Sequence, residues 1–463
     1  MKKFFLPKFY ILHFTFYIYH SLTIYHSHTF YLSLIRSSMF DTKRYFDDCV
    51  RAIQESVRFD SSQAAPLPGM PFGKGAAEAL GHFLALAERL GFAVKNYDNY
   101  IGEAVFGSGP DLAVLCHLDV VPAGEGWTHP PFAGAIEGGR LYGRGTMDDK
   151  GPAIVCLYCM KALKDAGFAP RRTVKLIVGC NEENGWECIG HYNRCARMPA
   201  EGFSPDADFP VIYAEKGILH FSMRFPFADA PFTALEAGER PNMVCSRAVA
   251  RCPRFDEEAA ARCGVRREGD DLVAEGRSAH ASTPEEGENA LEKLLRCFAA
   301  TDERAARICA LLFDDVFGLK QMKDETGSLT MSPNVAGYDG KELTIVTDIR
   351  YPATFTQDRV TAVLDKFGAP YTLLHCQAPL YNDRGNFLIT ALQKVYERHT
   401  GEKGEPVAIG GGTYARALQN GAAFGPLFPG APSTIHQADE YISLADVQTL
   451  LDIYCDALYE LTK

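Results

Sequence analysis

Residues 1–38 contain no glycine, alanine, aspartate or glutamate, although the 463-residue chain carries 41 glycines and 58 acidic groups. Average usage would place roughly three glycines in a stretch of that length. The gap marks a segment of foreign composition. Positive charge is also in deficit: 47 basic groups face 58 acidic ones. Four of the basic groups lie in the first 38 residues, so the body from Met39 onward carries 43 basic and 58 acidic groups, a net charge of −15. A net-acidic body argues against nucleic acid as the main partner. The body shows no internal repeat and no low-complexity run. With 47% hydrophobic residues the chain is neither disordered nor collagen-like, and its length suits a globular protein of more than one domain.

The fourteen cysteines run from Cys49 to Cys455 without the pair-of-pairs spacing of a zinc finger. A chain this long needs no disulfide staples, so reduced thiols and a cytoplasmic location are expected. The one C-x-x-C, Cys156 to Cys159, falls in the apolar run 153–158 and reads as two helix core positions rather than a redox or zinc pair. Ahead of the body, Phe9 to Ile35 has no formal charge over 27 residues, long enough to cross a bilayer. Ten of these residues are His, Ser or Thr, including His13, His20, His26 and His28, and no small-residue cleavage site follows. The segment therefore reads as an extension preceding a true start at Met39, with a membrane anchor and an ordinary tail as alternatives. A membrane partner is expected only if residues 9–35 are an anchor.

Within the body, three-and-four apolar spacing predicts helices over 41–58 and 75–91. Strand-length runs follow at 111–116, 173–178 and 209–214, with a glycine-closed helix over 151–167 between the first two. This alternation predicts an α/β fold with a mostly parallel sheet covered by helices. The middle third differs. A strand at 219–225, a Glu/Arg-rich helical region and a strand at 341–350 after an Asp339-Gly340 turn predict an inserted α+β domain. Helices at 386–401 and 441–461 return the chain to the first domain. The expected division is an extension over 1–38, a catalytic domain built from two stretches, 39–216 and 385–463, and an insert over 217–384 between them.

In open parallel sheets functional residues gather beyond the carboxyl ends of the strands. Here those ends carry His117-Leu-Asp119 and Asn181-Glu182-Glu183. Asp148-Asp149 opens a helix, Asp206 precedes the strand at 209, and His436 and Asp439-Glu440 lie near the C-terminus. Singly each is weak: a strand-end histidine is commonly satisfied by hydrogen bonds, and paired acids suit a helix N-terminus. Together they offer two imidazoles and several carboxylates, a donor mixture suited to two zinc or manganese ions sharing a bridging carboxylate. Neighbouring acids can divide the work, one binding metal and the other remaining free as a base.

The runs Cys116-His-Leu-Asp-Val-Val-Pro122, Trp127-Thr-His-Pro-Pro-Phe132, Leu141-Tyr-Gly-Arg-Gly-Thr-Met-Asp-Asp-Lys-Gly-Pro152, Asn181-Glu-Glu-Asn-Gly-Trp186 and Gly202-Phe-Ser-Pro-Asp-Ala-Asp-Phe-Pro210, in this order, resemble the dinuclear zinc metallopeptidases. That family includes carnosinases, aminoacylases and succinyl-diaminopimelate desuccinylase. Within it the chain is most similar to the peptidase V branch of bacterial dipeptidases, over about 40–463. The resemblance implies a zinc exopeptidase-like fold with a lid. It implies that His117, Asp148 and Asp206 hold one ion while Asp148, Glu183 and His436 hold the other, with Asp208 a shifted alternative to Asp206. It also implies a cis peptide bond after Asp148, Glu182 as general base, and Asp119 accepting the free N–H of His117. Relatives often carry Asp where Asn181 stands.

Gly276-Arg-Ser-Ala-His280-Ala-Ser-Thr-Pro284 matches the lid pattern whose histidine donates to the oxyanion; a buried core histidine is the plain alternative. Asn242 and Arg350 match lid residues that clamp substrate, and a guanidinium can grip a carboxylate with two parallel bonds. An ion pair with Asp348 is the competing reading for Arg350. Gly410-Gly411-Gly412-Thr413 lacks the ending of a nucleotide loop, so close approach of Gly411, Gly412 and Thr413 to a peptide is expected. The resulting expectation is a metal-dependent dipeptidase for short peptides with a free amino end, using two divalent ions, zinc first with manganese or cobalt as alternatives. An N-acyl-amino-acid deacylase of the same family is the competing function. A monomer is preferred over a homodimer, because the long insert would supply within one chain the surface that smaller relatives obtain by dimerising.

Overall fold

The computed structural model describes residues 39–463, so the expectations for residues 1–38 lie outside the described residues. The chain forms two compact units. The first takes the chain up to Val211 with Phe387–Glu405 and Phe424–Lys463; the second takes Ile212–Asn386 with Pro406–Ala423.

The first unit begins with helices α1 (Phe46–Val57) and α2 (Lys74–Arg89), followed by strands β1 (Ala93–Tyr97), β2 (Ile101–Phe106) and β3 (Asp111–His117). Helix α3 (Lys150–Asp165), β4 (Thr173–Gly179), helix α4 (Glu187–Cys195) and β5 (Glu201–Ser204) come next. The strands lie in the order β1-β2-β4-β3-β5. β3 runs parallel to β4 and β5, whereas β1 and β2 are antiparallel, so the sheet is mixed. The antiparallel edge escapes the sequence reading because β1 is mostly exposed and shows no apolar run. β3 and α3 are buried along nearly their whole length, which is why both read as continuous apolar stretches. Helix α3 ends where Gly167, at φ 75°, takes the left-handed conformation, and Phe168 N–H donates back to the Leu163 carbonyl at 3.1 Å. Cys156 and Cys159 are core positions of that helix with free thiols.

Register decides what the sheet presents. β3 and β4 pair from Asp111 with Thr173 to His117 with Gly179, and the Leu118 N–H donates to the Gly179 carbonyl at 2.8 Å. The carboxyl ends of the two strands therefore set His117 beside the Asn181–Glu183 turn.

The second unit holds an eight-stranded antiparallel sheet. Its strands are β6 (Gly217–Pro226), β7 (Ala234–Ala237), β8 (Arg247–Arg251), β9 (Val265–Glu268), β10 (Asp271–Glu275), β11 (Thr330–Tyr338), β12 (Glu342–Tyr351) and β13 (Tyr371–Gln377). They lie in the order β9-β10-β8-β7-β11-β12-β6-β13. Leu219, Phe221, Met223 and Phe225 alternate along β6 with more exposed residues and share one core with Leu291, Leu294, Leu295 and Phe298 of helix α5 (Ala290–Ala299) and with helix α6 (Glu303–Leu312). A smaller group joins this unit: Ile212–Glu215 pairs with Leu380–Tyr381 and, in parallel, with Val407–Ile409. That pairing draws Pro406–Ala423 away from the rest of 385–463.

Two predicted elements need correction. The strand expected over 209–214 begins only at Ile212, because Pro210 has no N–H to give to a ladder. The last helix starts at Leu444 rather than Tyr441: Tyr441–Ser443 is a strand, and the Ser443 side chain caps helix α8 (Leu444–Thr462), reached after α7 (Phe387–Thr400), by accepting from the Asp446 N–H. Among the described residues no helix is long and apolar enough to cross a membrane.

Candidate metal centre

His117, the last residue of β3, is fully buried in the first unit, with Nε2 2.9 Å from Asp148 Oδ1 and 3.5 Å from Asp206 Oδ2. The other Asp148 oxygen, Oδ2, lies 2.8 Å from His436 Nε2, which is 3.1 Å from Glu183 Oε1. Asp148 thus stands between two imidazoles and turns one oxygen to each. The Asp148–Asp149 peptide bond is cis, as the resemblance implies. Asp206 faces this cluster, while Asp208 is exposed on a short strand paired with Pro426–Leu427.

Burial opposes ionisation of Asp148, but hydrogen bonds and charge from His117 and His436 outweigh it and hold the carboxyl below its usual range. The imidazoles respond in the opposite sense. Burial lowers the pKa of His436, yet Asp148 and Glu183 push it up to about 10. His117 is likewise raised, burial being overcome by Asp119, Asp148 and Asp206. Burial raises Glu182, Glu183 and Asp206, and repulsion among the carboxylates adds to it. So many acids crowded around two imidazoles call for positive charge. Donor atoms of His117, Asp148 and Glu183 lie within 4.8 Å of one another. Nitrogen and oxygen donors at this spacing fit divalent ions of the zinc and manganese type.

The surroundings are built by residues that the sequence motifs leave without a role. Glu440, fully buried, accepts from the backbone N–H groups of Gly145 and Met147, both at 3.0 Å, and of Asp148 at 3.3 Å, while Arg144 Nη1 donates to its other oxygen at 2.6 Å. It fixes the turn that presents Asp148. Asp149 turns inward, where Oδ2 accepts the His117 backbone N–H at 3.1 Å; burial, reinforced by Asp206 and Asp148, holds its pKa well above normal. Trp186 Nε1 donates to Glu182 Oε1 at 3.2 Å. Only spacing and residue type are visible in a sequence, and neither separates Glu440 from its neighbour Asp439.

Asp119 departs from expectation. The group at His117 Nδ1 is the Asp119 backbone carbonyl, at 2.9 Å, with the carboxylate at 3.6 Å. That carboxylate instead accepts the N–H groups of Glu182 and Glu183, at 3.0 and 3.1 Å, and so holds the turn that carries them. Asn181 accepts the Glu187 N–H at 2.9 Å, a bond an amide oxygen makes without adding charge beside Glu182.

The remaining expected residues lie in the second unit. His280 is exposed, which removes the core-histidine alternative. Its Nδ1 accepts the Ser282 N–H at 3.2 Å, leaving the proton on Nε2. Asn242 is also exposed, next to the Met243–His280 bridge, and its carbonyl accepts the Ala281 N–H. Arg350 is 4% exposed and pairs with Asp348 through two bonds, at 2.7 and 2.9 Å, while Nη1 reaches the Gly410 carbonyl at 3.2 Å. The two-bond grip expected for a substrate carboxylate is therefore held by Asp348, and the pair is buried rather than superficial. Thr413 is also committed inward: its N–H and hydroxyl both donate to buried Glu215, at 3.1 and 2.6 Å. Gly412 is exposed and Gly411 partly so.

The family model for peptidase family M20/M25/M40 matches residues 113–460. The chain is 37% identical over 455 residues to YtjP of Bacillus subtilis (strain 168), covering 90% of this chain and 98% of that one. It is 35% identical over 455 residues to a Beta-Ala-Xaa dipeptidase of Lactobacillus delbrueckii subsp. lactis, covering 90% and 96%. Among solved structures, human carnosine dipeptidase 1 aligns with a TM-score of 0.57 at 14% identity over 91% of this chain and 97% of that one, a likeness of fold.

Proposed function

The chain belongs to the M20/M25/M40 peptidases, hydrolases acting on peptide bonds, and from that premise we propose a dipeptidase that cleaves short peptides with a free amino end. The observation that carries this reading is Asp148, placed between His117 and His436 with one oxygen toward each. In this reading His117, Asp148 and Asp206 hold one divalent ion, and Asp148, Glu183 and His436 hold the other. Zinc is the first choice, with manganese and cobalt accepted by the same donors. When bound, such ions acidify water and polarise the scissile carbonyl.

Glu182 takes the proton of the attacking water and delivers it to the leaving amine. Burial, first among the causes, raises its pKa above the ordinary carboxyl value, which makes it a stronger base than an exposed carboxylate. The Trp186 indole and the Asp119 carboxylate, acting on the Glu182 side chain and backbone, keep it aimed. His280, with its proton on Nε2, donates to the oxygen that gains charge in the transition state. Asn242, the unused N–H groups of Arg350 and the Gly411–Gly412 backbone bind the peptide ends; Thr413 supports that loop from beneath. The insert 217–384 serves as the lid. The name of the Lactobacillus relative supports dipeptides as the substrate class. The free thiols and acidic body support a cytoplasmic enzyme, and the long insert supports a monomer.

Rates on Ala-containing dipeptides, beside N-acetyl and N-succinyl amino acids, test the proposal with metal-loaded protein. Dipeptides are expected to be turned over at least tenfold faster. Preference for the acylated amino acids would instead identify a deacylase.

A further inference from the structure

A second group of metal-type donors lies in the first unit, outside the cluster described above. His191 and Cys195 are four residues apart on helix α4 and so share one face. Asp98 comes from the turn between β1 and β2, where Asp98 and Asn99 have φ of 53° and 59°, and Asn96 Oδ1 accepts the Asn99 N–H. His191 Nε2 is 2.9 Å from Asp98 Oδ2 and 3.5 Å from Cys195 Sγ, and the donor atoms of all three lie within 4.8 Å of one another. The ring stacks on Tyr100 with centroids 4.2 Å apart and planes 8° from parallel, which fixes its direction.

A Cys–His–Asp relay would place the acid on one ring nitrogen and the thiol on the other. Here both meet the same atom, Nε2, so the three donors converge on a point instead of forming a chain. That is the arrangement of a coordination site. With ordinary zinc bond lengths, tetrahedral edges are about 3.3 Å for N···O and about 3.5 Å for N···S. The observed sulfur contact fits, and the carboxylate contact needs only a small opening, open to Asp98 because its side chain is 75% exposed. Thiolate, imidazole and carboxylate also suit a borderline ion better than calcium or magnesium.

We propose that Asp98, His191 and Cys195 form a separate three-ligand site for a zinc-like divalent ion, with water completing the tetrahedron. Binding releases the thiol proton and ties the β1–β2 turn to the end of α4. Arg194, whose Nη2 lies 3.4 Å from His191 Nδ1, swings into solvent so that Nδ1 keeps the imidazole proton. The helix begins beside the Glu182 turn, where the Glu187 N–H donates to Asn181 Oδ1, so the ion clips the far end of the element that follows the proposed base.

Cobalt separates this site from the first cluster, because a thiolate ligand gives cobalt(II) an intense sulfur-to-metal charge-transfer band that nitrogen and oxygen ligands do not. Titration of the metal-free full chain with cobalt is expected to produce that band, which reaches the intensity of one thiolate-bound ion per chain by three equivalents, two filling the first cluster and one this site. Cys195→Ser should abolish it, His191→Ala should weaken its cobalt affinity at least tenfold, and Cys376→Ser, at the other exposed cysteine, should leave it intact; circular dichroism of each variant checks the fold. Absence of the band in the parent, its survival in Cys195→Ser, or an unchanged titration in His191→Ala overturns the proposal.

Discussion

Glu440 places both carboxylate oxygens on the turn from Arg144 to Asp148, and none of that was legible before the fold brought residues 144 and 440 together. Replacing it by Gln keeps the shape but puts an amide N–H against one set of donors. We expect Glu440→Gln to weaken metal retention by about 10- to 100-fold, read from chelator competition. The His117, Asp148, Glu183 and His436 set was legible because each member sits in a dense local motif whose residue types already suggest metal. Roles set by a side chain's direction were not. Arg350 and Thr413 look like substrate contacts in a sequence, yet Asp348 and Glu215 occupy most of their donors. His280 is the opposite case, exposed, with Ser282 occupying Nδ1 and leaving Nε2 as the available nitrogen. His280→Ala is expected to lower kcat about 100- to 1000-fold with a small change in KM, as loss of an oxyanion donor does; steady-state kinetics distinguish this from lost ground-state binding.

Elements whose two faces are both covered announce themselves as apolar runs, and the bounds of β3, β4 and α3 agree with those runs to within a residue or two. The antiparallel strands of the second unit alternate instead, with short runs such as β7 and β8, and their pairing depends on partners distant in the chain. Caps make some boundaries legible afterwards. Asp302 caps α6 by accepting from the N–H groups of Arg304 and Ala305, and it also binds the Arg304 side chain. Asp302→Ala is expected to cost about 1 kcal/mol of stability, measured by denaturant unfolding, without altering the first unit's metal content.

At the scale of the whole molecule, the linear pattern offers no sign that Pro406–Ala423 groups with the second unit. That grouping rests on strand pairing to Ile212–Glu215 and on Glu215 bonds to Thr413 and Arg416, which join residues some 200 positions apart. The proposed catalysis depends on one division of labour, in which His117, Asp148, Glu183, Asp206 and His436 would hold metal while Glu182 would move the proton. The most direct measurement is metal content together with dipeptide turnover in Glu182→Gln. Two bound ions are predicted, as in the parent, with turnover reduced by about 100- to 10,000-fold. Near-parental turnover with both ions bound would contradict that division.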